Sequence, residues 1–317
     1  MTLRPDPDVE ALRGSATLEI GYGKADVAVY RHRSAPLVVA AVPESPFTGR
    51  SNELLAALVT FRVHGSNFLP AYTHGDNRAV VATDSMKNFI LRESLTFEGS
   101  TFEGLGATLA TRFLGHYDVV EALTCTVSEI PFERVALAGG LSRLVHERRH
   151  GDRTSVRLHV DRDPGGGVRV ASLRTARDGI ELLKTTGSSW VNFVRDEYTT
   201  LPDRSDRPLF LRQDVAWSYG DREDGLDTGR GRYVAAEQVR DICATVFDEL
   251  NSDSIQQLVY EMGLRLLARF PQLDAVELVA RNMTRDPVAR AEEDDQVAVF
   301  SDPFPAFGTI ELVLRRP

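Results

Sequence analysis

The apolar pattern of this chain runs twice through one order of elements: strands, then helices, then strands again. Strands are predicted where polar and apolar residues alternate, and helices where apolar residues recur every three or four positions. The strands predicted in the first half are Ala16–Arg31, Leu37–Val42, Leu54–Val63, Arg78–Thr83 and Val119–Pro131, and the helices are Met86–Leu91 and Phe102–Phe113. Asp84 is expected to cap the first of these helices.

The second half opens on a hairpin signal, because Asp163-Pro164-Gly165-Gly166-Gly167 separates two alternating stretches. The strands predicted there are Thr154–Val160, Val168–Leu173, a strand ending in Leu182–Thr186, Pro208–Ser218, Ala275–Arg281, Gln296–Phe300 and Thr309–Leu314. The predicted helices are a short one through Phe193 and two longer ones, Val234–Leu250 and Ser254–Phe270. The charged stretch Glu147–Arg153 predicts a linker, so two domains are expected, residues 1–150 and residues 151–317.

Composition argues against several classes of protein. The formal net charge of −9 is unfavourable for a general nucleic-acid binder, because phosphate binding needs a positive surface. No run of about 18 apolar residues is present, so no membrane span is expected. Cys125 and Cys243 lie in apolar stretches and are expected to be buried, reduced thiols. Together with a polar N-terminal stretch, these features predict a cytoplasmic protein.

The densest chemical signal is the stretch LLKTTGSSWVNFVRDEYTTLPDRSDR, which runs from Leu182 to Arg207. A hydroxyl-rich corner follows an apolar strand end, Trp190 and Phe193 follow at helical spacing, and a charged exit ends on Arg207. One local unit therefore offers a flat aromatic face and a planar guanidinium fork. A planar heterocycle with ring carbonyls suits both, because it can stack on the ring and accept paired hydrogen bonds from the fork.

The residues of this stretch resemble the signature of the urate oxidases, or uricases. The matching positions are Lys184, Thr185, Thr186, Ser188, Phe193, Tyr198, Leu201 and Arg207. Ile180 stands where the family usually has Leu, and Trp190 where it usually has Phe; both keep the aliphatic or aromatic character. Further matches are Gly21-Tyr22-Gly23-Lys24, Thr83-Asp84-x-x-Lys87-Asn88, Ser254-Ile255-Gln256 and Asn282, so the resemblance extends over nearly the whole chain.

The resemblance assigns roles to residues of the first half. On its own, Gly21-Tyr22-Gly23-Lys24 is typical of a strand bulge with a solvated lysine. The family match instead makes Lys24 the catalytic lysine, with Thr83 as its proton relay and Asp84 presenting a backbone N–H to the substrate. Lys87 and Asn88 are taken as structural.

The resemblance also assigns the substrate pocket. Arg207 is the expected substrate clamp, and Gln256 binds the opposite edge of the pyrimidine ring beside a backbone N–H of Ile255. Trp190 stacks on the ring, and Leu201 is a wall of the pocket. These groups are expected to come from one subunit and the Lys24 side from its neighbour.

Two residues complete the predicted site. Asn282 is expected to hold water or O2 above the ring. Thr284 stands where many family members have the histidine that ends the lysine–threonine relay, and no histidine follows His159 in this chain. Thr284 is therefore the expected third relay group, although a hydroxyl is a poor base near neutral pH.

The resemblance implies the tunnelling fold, an α+β architecture with two tandem repeats. Antiparallel sheets of two subunits would close into a wide barrel with helices packed outside, and the assembly that the resemblance implies is a homotetramer. The implied activity is oxidation of urate by O2 to 5-hydroxyisourate and H2O2, without metal or organic cofactor.

Two other functions remain open. A weakened urate- or purine-binding protein of the same fold is one, because Thr284 replaces the histidine. The other is a pterin-type enzyme of this fold, which generally has Glu where this chain has Gln256. His146-Glu147-Arg148-Arg149-His150 fits a zinc-protease string, but its charged interior and the following Gly151 disfavour the helix that such a site needs.

Overall fold

The computed structural model describes residues 6–13, 15–283, 285, 287–293, 297–301 and 306–317. Its centre is one antiparallel sheet of eight strands. Four of the strands precede residue 165, and the last of them lies beyond the predicted boundary at residue 150: β1 (Gly21–His32), β4 (Leu54–His64), β5 (Ala122–Glu129) and β8 (Arg153–Arg162). The four from the second half are β9 (Val168–Lys184), β10 (Leu209–Tyr219), β11 (Leu273–Asn282) and β14 (Gly308–Arg315). They lie in the order β1-β4-β5-β8-β9-β10-β11-β14, so β1 and β14 are the two edges.

The remaining strands form small two-stranded sheets. They are β2 (Leu37–Val38) with β3 (Gly49–Arg50), β6 (Phe132–Leu137) with β7 (Gly140–Arg148), and β12 (Pro287–Arg290) with β13 (Ala298–Phe300). The helices are α1 (Pro7–Arg13), α2 (Leu69–His74), α3 (Thr83–Leu95), α4 (Phe102–His116), α5 (Glu223–Leu226), α6 (Ala236–Glu249) and α7 (Ile255–Arg269), with a 3₁₀ turn at Thr228–Arg230.

The long helices pack on one face of the large sheet because alternate strand residues are apolar. In β5, Leu123, Cys125 and Val127 are fully buried in the main core, while the residues between them point to the opposite face. Helix α4 covers β5 and β8, and α6 and α7 cover β9, β11 and β14. This arrangement confirms the α+β class, and each half contributes two strands, a pair of long helices and two more strands.

Several local predictions were wrong. Residues 78–82 form no strand, because Tyr22 and the start of α3 hold them as a turn. Helix α3 begins at Thr83 with Ala82 as its N-cap, so Asp84 is not the cap but a first-turn residue. Leu37–Val42 shortens to a two-residue strand, and the first strand begins only at Gly21. The hairpin of β6 and β7 was not predicted, and the expected linker Glu147–Arg153 overlaps the end of β7.

Other predictions are confirmed. The hairpin at Asp163–Gly167 joins β8 to β9, and the two helices of the second half lie where periodicity placed them. The division into residues 1–150 and 151–317 stays a prediction. Counting four sheet strands on either side of the β8–β9 turn favours a repeat boundary near residue 165 instead.

The two halves share buried polar contacts. Glu103 of α4 is fully buried and accepts hydrogen bonds from Thr175 Oγ1 of β9 at 2.9 Å and from Tyr233 Oη at 3.0 Å. Burial raises the pKa of Glu103 to about 7. This carboxyl therefore links the first-half helix layer to the second half of the chain.

Candidate active site

A cavity of about 220 Å³ lies at the β11–β14 edge of the sheet. It is lined by Trp190, Leu201, Arg207, Ile255, Gln256, Asn282, Gly308 and Ile310. The first six are residues that the sequence predicted for substrate binding. The eight lining residues come from four separate segments: the loop between β9 and β10, the start of α7, the end of β11 and the start of β14. The structure thus brings together every predicted second-half substrate residue.

Hydrogen bonds of the Arg207 amide and of the Asp206 side chain fix the position of Arg207 in its loop. Its amide donates to the carbonyl of Ser188 at 2.8 Å. The carboxylate of Asp206 accepts from Thr186 Oγ1 at 2.6 Å and from the amide of Gly187 at 2.7 Å. The loop before Arg207 is therefore fastened to the corner after β9.

The side chain of Arg207 is only partly satisfied. Its Nε is buried and has no hydrogen-bond partner among the described residues. Burial, and then the like charge of Arg204, lowers the pKa of the Arg207 guanidinium. A buried, unpaired donor is costly, so this side chain favours an acceptor or an anion in the cavity.

Trp190 forms an aromatic wall of the cavity, although the short helix predicted through Phe193 is absent. Its N–H and C=O pair with Arg204 at 2.8 and 3.0 Å, which makes a single extended bridge. The Trp190 and Phe193 rings stack with centroids 5.7 Å apart and planes 11° from parallel, and Arg195 lies 4.5 Å from the Phe193 centroid. The predicted short helix was wrong because this bridge uses the Trp190 backbone groups, yet the flat aromatic face is present.

The start of α7 supplies polar groups to the same cavity. Ser254 is the N-cap, and its side chain accepts from the amide of Gln257 at 3.1 Å. Ile255 is buried, whereas Gln256 is exposed. Amides of a first helical turn have no intrahelical acceptor, and the helix dipole makes that end positive. An anionic, planar ligand can therefore accept hydrogen bonds here while Gln256 pairs with its edge.

Lys24 lies at the other end of the molecule, on edge strand β1. A register shift between Lys24 and Val27 breaks the β1–β4 ladder, and Asp26 there has a φ of 54°. The β1 strand approaches β4 so closely that a Cβ on Gly23 would lie 1.8 Å from the carbonyl oxygen of Phe61. This irregularity agrees with the strand bulge that the Gly21-Tyr22-Gly23-Lys24 string indicated, and Lys24 is half-exposed beside it.

Thr83 and Asp84 begin α3 next to this strand. The hydroxyl of Tyr22 accepts from the amide of Val81 at 2.8 Å, which joins β1 to the residues just before Thr83. The Asp84 carboxylate accepts from Lys87 Nζ at 2.6 Å and from Asn88 Nδ2 at 2.9 Å. Its pKa is lowered chiefly by the Lys87 hydrogen bond and charge, with smaller effects from Asn88 and Lys24. The charge of Lys24 thus acts on the start of α3.

Within one chain, Lys24 and the cavity that Arg207 lines lie far apart. Lys24 lies on β1 and the cavity lies against β14, at opposite edges of an eight-stranded sheet. Strands about 4.8 Å apart put roughly 30 Å between the edges along the sheet. Thr284, the third predicted relay group, lies outside the described residues. The predicted site therefore divides into two half-sites within this chain.

Several residues of the site were not predicted from the sequence. Asp206 fastens the loop before Arg207 to the corner after β9, Lys184 Nζ donates to the carbonyl of Leu250, and Gly308 and Ile310 of β14 line the cavity. Asp206 and Lys184 stand inside the signature stretch, so their position was a usable signal. Gly308 and Ile310 carry no chemical signal, and only strand pairing places them there.

The zinc-protease string has the wrong secondary structure. His146 lies on strand β7, which ends at Arg148 before His150, and residues four apart along an extended chain are about 13 Å apart, too far to share one metal ion. Among the described residues no group of three histidine, cysteine or acidic side chains is placed to hold a metal ion. No helix in the described part of the chain has the length and apolar character needed to cross a membrane.

Comparison with known proteins gives consistent matches. The family model described as uricase matches residues 56–162 and 173–311. The uricase of Halalkalicoccus jeotgali is 42% identical over 289 residues, which are 90% of this chain and 94% of that protein. The uric acid degradation bifunctional protein of Bacillus subtilis is also 42% identical, over 302 residues, which are 94% of this chain but 61% of that protein. The chain therefore spans about three fifths of the length of that bifunctional relative.

Solved structures agree with this fold. The urate oxidase of Bacillus sp. TB-90 superposes with a TM-score of 0.91 at 39% identity, covering 94% of this chain and 100% of that one. A uricase named for Bacillus fastidious gives a TM-score of 0.90 at 37% identity, with 95% and 94% of the two chains covered. On the strength of the matched family segments and these relatives, the chain belongs to the uricase family.

Proposed function

We propose that this protein oxidises urate: urate, O2 and water give 5-hydroxyisourate and H2O2, with no metal or organic cofactor. The observation that carries the proposal is the cavity at the β11–β14 edge. Arg207, whose buried Nε has no hydrogen-bond partner among the described residues, lines this cavity together with Gln256 and Trp190. A planar oxypurine anion offers an acceptor to Arg207, a flat face to Trp190 and a second edge to Gln256.

Each residue of the cavity has a part in holding the ring. Arg207 donates two hydrogen bonds to a ring carbonyl and the adjacent nitrogen, and Gln256 pairs with the opposite edge. Trp190 stacks on the ring, and the Ile255 amide adds a donor at the positive end of α7. Asn282, at the end of β11, holds O2 or water above the ring.

The chemical step is assigned to Lys24 and Thr83. Moving a proton from the bound urate toward this pair makes the ring electron-rich enough to reduce O2 directly. The electrons therefore come from urate itself, which is why the proposal includes no redox cofactor. Thr284 is proposed as the third member of the relay.

The separation of the half-sites supports an oligomer. Among the described residues, the outer sides of β1 and β14 have no strand partner in the large sheet. Pairing β1 of one subunit with β14 of another would satisfy both edges and bring Lys24 toward the partner's cavity. A homotetramer with active sites between subunits is the proposed assembly. Buried free thiols at Cys125 and Cys243 support a cytoplasmic location.

The test is urate consumption in metal-free buffer, followed by the loss of urate absorbance and by peroxide release. Stoichiometric peroxide with each urate consumed supports the proposal. Tight urate binding without peroxide would instead support the weakened binding protein, which Thr284 in place of histidine makes the second candidate. Binding and turnover of a pterin in preference to urate would overturn both.

A further inference from the structure

Lysine is rare in this chain, and the structure gives every lysine a specific place. The sequence contains 37 basic residues of the Lys and Arg types, and only Lys24, Lys87 and Lys184 are lysines. Arginine thus serves nearly every surface and ion-pair position. A lysine differs in presenting three tetrahedral donors at the tip of a slim stem, whereas arginine presents a rigid planar fork. Lys24 and Lys87 belong to the proposed proton-transfer side, which leaves Lys184 without an assigned role.

The ammonium of Lys184 caps the end of helix α6. Its Nζ donates to three backbone carbonyls, of Phe247 at 3.1 Å, Asp248 at 3.3 Å and Leu250 at 2.8 Å. The last carbonyls of a helix have no intrahelical donor, and that end of the helix dipole is negative. Three acceptors converging on one cation fit an ammonium, and a planar guanidinium does not match them.

The stem of Lys184 is enclosed as well as its tip. A Cβ on Gly187 would lie 2.9 Å from Lys184 Cε, and Gly187 has a φ of 79°. The turn after β9 thus wraps around the lysine. A larger side chain at position 184 would displace that turn.

Lys184 also joins the two sides of the cavity. Its backbone pairs with Leu209, the second residue after Arg207. The turn that follows it forms a seam with the α6–α7 connection: Ser189 N donates to Ser252 O at 2.9 Å, and Ser189 Oγ donates to Asp253 Oδ1 at 2.8 Å. Residue 253 lies three positions before Gln256. One side chain therefore ties the Arg207 strand to the segment that presents Gln256.

We infer that Lys184 is a positioning residue for the urate site. It fixes the α6–α7 connection against the end of β9, so that Gln256 stands at the right distance from Arg207 to hold both edges of one ring. Lys184 does not touch the substrate in this arrangement. The inference rests on the proposed function only for its kinetic consequence, since the structural consequence can be measured without urate.

The test is Lys184→Met, which keeps the stem and removes the charge. In the absence of urate, amide hydrogen exchange should rise at Ser252–Gln257 and stay unchanged in the C-terminal half of α7. With urate, KM should rise about tenfold while kcat at saturation changes by less than about twofold, as expected for lost ground-state positioning. Gln256→Ala should raise KM in the same way, and Lys184→Met should add little in that background.

Arg265→Met is the matched control. Arg265 of α7 also links α6 to α7, by an ion pair to Glu249 at 3.1 Å, and it pairs with Glu44 at 3.3 Å; neither partner belongs to the seam of Ser189, Ser252 and Asp253. It should lower stability without changing KM. Should Lys184→Met fail to fold, Ser189→Ala removes one bond of the same seam and should raise KM by a smaller factor.

The outcomes separate the inference from the proposed function. A wild-type protein that does not oxidise urate overturns the function, while the exchange result still decides the role of Lys184. Unchanged exchange at Ser252–Gln257, or fully additive KM effects of Lys184→Met and Gln256→Ala, would overturn the positioning role.

Discussion

The two edges of the large sheet carry half-sites built in opposite ways. At the β14 edge, Trp190, Arg207 and Gln256 line one cavity and their loops are joined by a hydrogen-bonded seam. At the β1 edge, Lys24 is half-exposed on a bulged strand, and Thr83 lies exposed at the start of α3. The first half-site therefore encloses a cavity, whereas the second presents its predicted reactive groups on an edge strand and at an exposed helix start. In the proposed assembly, binding belongs to one subunit and proton transfer to its neighbour.

The sharpest test of this difference is removal of the Lys24 ammonium. In Lys24→Met, kcat should fall about 10²- to 10⁴-fold, because proton transfer from the ring loses its acceptor. Urate affinity, measured by equilibrium dialysis without turnover, should change little. A large loss of affinity with unchanged kcat would assign Lys24 to binding and remove the distinction between the two edges.

Removal of the Arg207 charge should have the complementary effect. In Arg207→Met, the KM for urate should rise about 10- to 100-fold, since two charge-assisted hydrogen bonds to the ring are lost. Steady-state kinetics over a wide range of urate concentration measures it. A fall in kcat with unchanged KM would contradict the binding role of the β14 edge.

Combining the Lys24→Met and Arg207→Met chains tests whether each active site takes groups from two subunits. Lys24→Met and Arg207→Met chains, co-expressed with different tags and purified through both, should recover activity in about a quarter of the sites if each site takes one group from each subunit. Mixed oligomers without any recovery would show that both groups act within one chain.

The junction between the halves should show a distinct dependence on pH. Burial raises the pKa of Glu103 to about 7 from an ordinary value of 4.5. A carboxyl with a raised pKa in the folded state gives stability that is fully present below pH 4.5 and is lost as pH rises through 7. Glu103→Gln should therefore stabilise the protein above pH 7, by about 3 kcal/mol at most, and have little benefit at pH 4.5.

Denaturant unfolding at several pH values measures this effect. The difference between Glu103→Gln and the unsubstituted protein isolates Glu103 from other titrating groups. A stability difference that is independent of pH, or that favours the unsubstituted protein above pH 7, would show that the carboxylate is stabilised in its ionised form by Thr175 and Tyr233.

The smallest expected effect concerns the link between β1 and α3. Tyr22→Phe removes the acceptor for the Val81 amide and should lower the free energy of unfolding by about 1 kcal/mol. It should also lower kcat a few-fold, because Lys24 and Thr83 lose a fixed separation, while the KM for urate stays constant. Tyr260→Phe, which removes an exposed hydroxyl on α7, is the control and should change neither kinetic constant.

Much of the fold followed from the sequence because hydrophobic periodicity is local. The helices α4, α6 and α7 and the strand β4 appear close to their predicted bounds, since their buried faces repeat every few residues. Arg78–Thr83 and the stretch through Phe193 were wrong for the opposite reason. Their backbone groups bond to distant segments, to Tyr22 in one case and to Arg204 in the other, and no local pattern records such partners.

The candidate site, like the fold, could be predicted from the sequence only in part. The sequence by itself determined which residue types are present and in what spacing: a lysine after a strand bulge, an arginine after an acidic turn, and a glutamine at a capped helix start. Only the tertiary structure decided that Arg207, Gln256 and Asn282 share a cavity with Gly308 and Ile310, and that Lys24 lies at the far edge. The reason is physical. Side-chain chemistry is a property of each residue, whereas convergence depends on pairing strands that lie far apart in the chain, and that pairing is set by the packing of the whole core.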